Sequence, residues 1–268
     1  METKRNLKYF IAPPVSIPAL IGWAIVVVGA ILLAAGGRSL TVPGLLVLIA
    51  GFAVVVFTSG GKSTDTDLEF QISERIKNLQ ERSEKKNEVY EKSFLKMMKP
   101  INLRGYDFEA KEEPFYYKKG ADGQNRTNYF EGCNLIFTSE KIYIFGRRFS
   151  LTDESIDAEI AGSYYYTELD KASVEEKAYL TKKGDRDVEV PYCIFTILKN
   201  DGTEALRMCV DAGADIDKYA EQITRTIATR QKELAKRAEE AAERRAAFRA
   251  KVEAEKEAVA RGELREDE

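Results

Sequence analysis

Two long stretches without a charged side chain lie within the first sixty residues, and they constrain this chain more than any other feature. The first reads Ile17-Pro18-Ala19-Leu20-Ile21-Gly22-Trp23-Ala24-Ile25-Val26-Val27-Val28-Gly29-Ala30-Ile31-Leu32-Leu33-Ala34-Ala35. The second runs from Leu40 through Leu45, Leu46, Val47, Leu48, Ile49, Ala53, Val54, Val55 and Val56 to Phe57. Each is about as long as the helix of roughly 20 residues that crosses a hydrocarbon core. Only Gly36, Gly37, Arg38 and Ser39 separate them, and Pro43-Gly44 suits a turn passing into a first helical turn. The pair reads as a tight helical hairpin, a two-span membrane anchor. A cleaved signal peptide would have an apolar core of only about 7 to 15 residues. A soluble helix pair with no charge on any face would be unusual in water.

Lysines and arginines set the expected orientation. Lys4, Arg5 and Lys8 precede the first stretch, Lys62, Arg75 and Lys77 follow the second, and the loop carries only Arg38. The positive-inside rule places both termini in the cytoplasm, at the cell membrane. With no ionisable residue in either span, there is no sign of an ion pathway. Gly22, Gly29, Ala30, Ala34, Ala50, Gly51 and Ala53 allow the two helices to approach closely, and packing of the hairpin itself is the plainest use for them.

Composition excludes several chemistries for the remainder. Among 268 residues there is no histidine, so a Ser-His-Asp triad, a His-ligated metal and a histidine pH switch are all unavailable. The 41 Lys and Arg against 44 Asp and Glu give none of the basic excess that marks a nucleic-acid binder. Cys133, Cys193 and Cys209 have no Cys-x-x-Cys spacing and fall in strand candidates, which reads as buried or half-buried thiols in a reducing compartment. No two carboxylates are singled out as an acid and base. Gly120 to Gly123 lacks the Gly-Lys-Ser or Gly-Lys-Thr of a phosphate loop. The chain is expected to be no enzyme and to need no cofactor or metal.

From Thr64 to Met98, Leu68, Ile72, Ile76, Leu79, Tyr90, Phe94 and Met97 recur mostly at three or four residues, an amphipathic helix read as a solvated stalk leaving the membrane and ending at Lys99-Pro100. Strand signals follow. Cys133 to Phe145 is a hairpin about Thr138-Ser139-Glu140-Lys141, and Tyr192 to Lys199 with Thr203 to Asp211 is a hairpin about Asn200-Asp201-Gly202. Weaker candidates are Leu103 to Phe108, Pro114 to Lys119, Asn128 to Phe130, Tyr164 to Thr167 and Ala172 to Leu180, which together suggest a barrel or sandwich of about seven strands. Asp215 is placed to cap a helix whose Ile216, Tyr219, Ala220, Ile223 and Ile227 share one face. Beyond Ala228 an Ala, Glu, Lys and Arg-rich tail has high helix propensity. Ile227, Leu234, Ala241 and Phe248 are spaced by seven there, a weak coiled-coil seam interrupted by Gln231, Arg245 and Glu255. The oligomeric state stays open.

This order of hairpins and one terminal helix resembles the pleckstrin-homology-like fold, in particular bacterial PH-like domains attached to membrane segments. The resemblance rests on Leu135-Ile136-Phe137-Thr138-Ser139-Glu140-Lys141-Ile142-Tyr143-Ile144, on Tyr166 to Val174 and on Asn200-Asp201-Gly202, with Lys141 standing where arginine is more usual in that family. It covers Leu103 to Ile227. The expected layout is a cytoplasmic N-terminus at 1–16, the transmembrane hairpin at 17–61, a juxtamembrane helix at 62–100, the PH-like β domain with its capping helix at 101–227 and a charged helical tail at 228–268. The resemblance implies binding or scaffolding at the cytoplasmic face, with a protein partner, and not catalysis.

The candidate contact residues for a partner or for anionic lipid are basic side chains at predicted strand ends: Lys118, Lys119, Arg126, Arg147, Arg148, Lys182, Lys183 and Arg186. Scattered solubilising charges are the plainer account of them. Sensing of lipid headgroups is therefore the alternative function, and an enzyme with an unrecognised carboxylate site a more distant one. Asp185, Asp187 and Glu189 alternate and read as charges protecting a sheet edge. Asn125-Arg126-Thr127 fits the N-glycosylation pattern but would not meet that machinery in the cytoplasm.

Overall fold

The computed structural model describes residues 2–12, 17–35, 37–59, 61–88, 98–183, 186–211, 213 and 215–260. The chain is mixed α+β. Helix α1 (Glu2–Ile11) precedes the two apolar helices α2 (Ile17–Ala35) and α3 (Gly37–Ser59), which are long and apolar enough to cross a membrane. They pack along each other in antiparallel register. A Cβ at Gly29 would stand 2.6 Å from the Leu48 nitrogen, and one at Gly51 would stand 2.7 Å from the Val26 nitrogen. Gly22, Gly29 and Gly51 thus lie at the contact inside the hairpin, whereas Ala30, Ala34 and Ala50 are exposed. Helix α3 begins before Pro43, which lies inside it rather than in a turn.

Where a solvated stalk was expected, two short helices lie flat on the β domain. Helix α4 (Asp65–Ile76) opens with a capping box, Thr64 and Asp67 each accepting the other's backbone N–H, and α5 (Leu79–Lys86) follows a break at Asn78, whose φ is 59°. Leu68 and Ile72 of α4 are fully buried, because the apolar stripe of that helix has a sheet to cover. The expected helix positions Tyr90, Phe94 and Met97 lie outside the described residues.

Nine strands are present among the described residues: β1 (Ile101–Tyr106), β2 (Tyr117–Lys119), β3 (Asn125–Thr127), β4 (Tyr129–Phe137), β5 (Lys141–Ser150), β6 (Asp157–Tyr165), β7 (Leu169–Lys183), β8 (Arg186–Lys199) and β9 (Glu204–Val210). They form an antiparallel four-stranded sheet in the order β1-β4-β5-β6, an antiparallel three-stranded sheet β7-β8-β9 and a small β2-β3 hairpin. Strands β1 and β9 close the two larger sheets against each other, the Asp211 N–H donating to the Arg104 carbonyl at 2.9 Å. Between the sheets lies an apolar core that includes Leu103, Cys133, Leu135, Phe137, Ile144, Phe195, Ile197 and Met208.

Helix α6 (Ile216–Ala260) runs unbroken for 45 residues. Its first turns cap the core with Ala220, Ile223 and Ile227, and Thr224 exchanges hydrogen bonds with the Ala172 backbone at 3.0 and 3.1 Å, satisfying that one position on the edge strand β7. Docking continues past residue 228, since Leu234 packs on the core and the Gln231 amide donates to the Tyr166 and Leu169 carbonyls. Ile227 and Leu234, half of the heptad seam, are thereby used inside the domain, and Phe248 stands exposed.

A second core covers the outer face of the four-stranded sheet. Tyr9 and Phe10 of α1, Leu68 and Ile72 of α4, and Tyr106, Phe130, Phe149 and Leu151 of the sheet make it up. The helices on either side of the apolar hairpin therefore dock together, and the Ser63 N–H donates to the Arg5 carbonyl between them.

Candidate functional site

Two polar centres and one exposed arm account for all of the candidate residues except Lys119 and Arg147. The first centre surrounds Arg126. Its strand β3 turns the guanidinium inward, where it is fully buried, between Asp122 at 2.6 Å, Glu69 at 3.0 Å and Asp65 at 3.8 Å, with the Tyr106 hydroxyl at 3.1 Å. Tyr9 of α1 donates to Asp65 at 2.6 Å, so this one arginine joins strand, α4 and α1. Its hydrogen bond holds the Asp122 carboxyl down at about 2. Beside it, Lys118 donates to the carbonyls of Tyr9 and Ala12 and lies over the Tyr9 ring, so it closes the C-terminal end of α1.

The second centre is a cleft of about 260 Å³ beside β4, β5 and β9, lined by Asp107, Glu109, Glu112, Glu131, Arg148, Arg207 and Cys209 among others. Strand β4 directs Glu131 to the same side as Cys133 and Leu135, and Arg148 lies opposite it in register on β5. Arg148 binds Asp107 at 2.8 Å, Glu112 at 2.5 Å and Glu131 at 3.3 Å. Glu131 also accepts the Cys209 N–H at 3.1 Å, and burial followed by the Asp107 charge raises its carboxyl above the usual range. Hydrogen bonding from Arg148 lowers Glu112 to about 2. Burial, with Asp107 adding, pushes the Cys209 thiol up to about 12, which removes it as a nucleophile at neutral pH. Arg148 thus faces three carboxylates, while Glu109 is paired with Arg207 at 2.8 Å and Lys177 at 3.2 Å.

The remaining candidates divide. Arg147 forms a bidentate pair with Asp157 at 2.6 and 2.5 Å. Lys119 is exposed on β2. Strand β9 covers β8 only from Cys193 to Leu198, which leaves the far ends of β7 and β8 as a two-stranded arm. Lys182 and Arg186 are exposed near its tip with Leu180 and Val188, and the Lys183 side chain lies outside the described residues. The arm leans on an aromatic group, Tyr179 lying 5.3 Å from Phe115 and 6.0 Å from Tyr117, and Tyr192 stacking on Phe108 at 5.1 Å. Asp187 and Glu189 are exposed on the arm, while Asp185 lies outside the described residues. Lys118, Arg126, Arg147 and Arg148 thus serve internal contacts, and the seven candidates whose side chains are described do not converge on one patch.

The glycosylation pattern is folded into the domain, with Asn125 accepting from Tyr117 and Thr127 buried against the Asp107 carbonyl. Cys133 and Cys209 are buried and Cys193 is half-buried, all three free. Sequence reasoning passed over Asn6, Asp107 and Glu131. The signals for two of them were present: Asn6, Tyr9 and Phe10 fall on one helical face, and Glu131 occupies an inward position in the alternation with Cys133 and Leu135. Among the described residues no group of three or more His, Cys, Asp or Glu side chains is placed to hold a metal ion. No protein-family model, curated protein or solved structure matches the chain.

Proposed function

We propose that the chain is an integral two-span membrane protein whose β domain is PH-like and non-catalytic, held at the cytoplasmic face as a scaffold for a protein partner. The observation that carries this is the docking of α1 and α4, the two flanks of the apolar hairpin, side by side on one sheet face. A hairpin inserted in a bilayer would return both flanks to one side, and this packing would fix the domain there, raising its effective concentration for membrane-bound partners. Three further features support the reading. The loop between the apolar helices carries Arg38 against six flanking Lys and Arg at positions 4, 5, 8, 62, 75 and 77. Sheets of four and three strands closed by a C-terminal helix are the arrangement expected of a PH-like domain. Beyond Leu234, α6 extends as an exposed charged helix with Phe248 68% exposed, and this is the surface offered to the partner. Headgroup sensing through basic strand ends has less support, because Arg126, Arg147 and Arg148 are held by carboxylates.

The test uses the full chain. It should stay in the membrane pellet after alkaline carbonate extraction, and a photo-crosslinking residue in place of Phe248 should give an adduct with a second protein. The same residue in place of Ile223, buried in the domain, should give none. Release by carbonate would defeat the anchor, and a lack of adducts along 241–256 would defeat the scaffold.

A further inference from the structure

The outward face of α1 is the least explained surface of the molecule. Asn6, Tyr9 and Phe10 face the domain and are buried. Lys4, Leu7, Lys8 and Ile11 fall within about 100° of one another on the opposite side at the helical repeat, with Lys4, Lys8 and Ile11 exposed and Leu7 half-buried. Helix α1 ends six residues before the first apolar helix begins (Ile11 to Ile17). The Lys8 ammonium lies beside Gly61, next to Lys62 at the exit of the second, and the Lys62 charge is close enough to act on Lys118. Arg5 is paired with Asp67 at 3.6 Å, but no carboxylate partner is found for Lys4, Lys8 or Lys62 among the described residues. Two apolar side chains among unpaired lysines, on a helix whose other face is occupied, form the pattern of an interfacial helix on an anionic bilayer surface.

We propose that α1 is a headgroup reader, in which Lys4 and Lys8, joined by Lys62, collect anionic phospholipid around the hairpin while Leu7 and Ile11 enter the interface. This rests on the membrane-anchor reading. It places lipid selection on the flanks of the spans and not on the strand ends of the β domain. Because α1 is packed on the sheet through Tyr9 and Phe10, a change of headgroup composition would act on a helix that the domain also holds.

Trp23 is the sole tryptophan and lies near the start of the first apolar helix, 51% exposed, so it reports on adjacent lipid. The full chain is reconstituted in equimolar zwitterionic and anionic phospholipid, with brominated chains on one or the other, and quenching of Trp23 is compared. Brominated anionic lipid should quench more strongly at low salt, with each lysine contributing up to about fivefold enrichment, the equivalent of about 1 kcal/mol. The preference should fade at high salt. It should collapse toward parity in the triple variant Lys4→Gln, Lys8→Gln, Lys62→Gln and persist in Arg244→Gln, Arg245→Gln, Arg249→Gln, which removes equal charge from distal α6. Equal quenching by both lipids in the wild type overturns the proposal, as does a preference that survives the triple lysine variant. Quenching by neither lipid shows that the hairpin is outside the bilayer, a separate failure that removes the anchor reading together with this one.

Discussion

The two cores of the molecule are held by different physics. Between the sheets, burial is almost wholly apolar, and α6 completes it with Ile223 and Ile227. On the outer sheet face, α1 and α4 attach through a smaller apolar patch edged by buried polar groups: Asn6, bonded to Gln71 and the Leu151 carbonyl at 2.7 and 2.8 Å, and Arg126 with its carboxylates. Apolar contacts tolerate small shifts, whereas a buried guanidinium without its partners is costly. The inner core therefore sets stability, and the outer one sets where the domain sits relative to the hairpin.

The largest expected effect tests the inner core. Phe195→Ala removes a fully buried ring and should cost about 3 to 5 kcal/mol, lowering the unfolding temperature of the whole β domain in detergent. A smaller loss should follow Arg126→Ala at the outer core, about 1 to 3 kcal/mol, because Glu69 and Asp122, the carboxylates left behind, are more than a third exposed. Its location should differ. Hydrogen exchange should quicken in α1 and α4 and stay unchanged in β7 to β9, so uniform acceleration would erase the distinction between the cores. Asn6→Ala strands the partners of one buried amide, Gln71 of α4 among them, and should cost about 1 to 3 kcal/mol, read as loss of protection in α1 and α4.

Acid should act on the outer core in a defined direction. The Asp122 carboxyl is lowered from 3.8 to about 2 by Arg126, so its contribution is complete above its unfolded value and is lost as pH falls from about 4 toward 2. Wild-type α1 protection should fall over that interval and the fall should be shallower in Asp122→Asn. Glu131 has the opposite sign. Its carboxyl is raised, so the folded state is penalised as pH rises above the unfolded carboxylate range. Glu131→Gln, which retains an acceptor for the Cys209 N–H, should raise the unfolding temperature more at pH 8 than at pH 5 by thermal melts. A smaller benefit at pH 8 would show that the Arg148 pair outweighs burial. The smallest effect belongs to Phe248→Ala, an exposed site expected to stay within about 0.5 kcal/mol of wild type.

The inner core was legible because its signals are local. Alternation in Leu206, Met208 and Val210, the Asn200-Asp201-Gly202 turn and the shared face of Ile223 and Ile227 each lie within a few residues. The apolar hairpin was legible for the same reason. Strand β6 was mostly missed because Asp157, Ala158, Glu159 and Ser163 make an exposed edge with no apolar run to mark it. The outer core joins Tyr9, Leu68 and Phe130, which are far apart in sequence, and no short-range spacing announces that meeting. Arg126 and Arg148 looked like surface charges for a related reason: their carboxylates Glu69 and Asp107 come from other elements, and only the fold brings them close.

The most direct measurement is hydrogen exchange of the α1 amides in the full chain in nanodiscs, before and after Arg126→Ala. Slow exchange of α1 in the wild type, matched by α4 and lost in both helices when Arg126 is removed, is the result expected if the hairpin flanks are docked on the sheet. Fast exchange of α1 in the wild type, or slow exchange that Arg126→Ala leaves untouched, would contradict that docking.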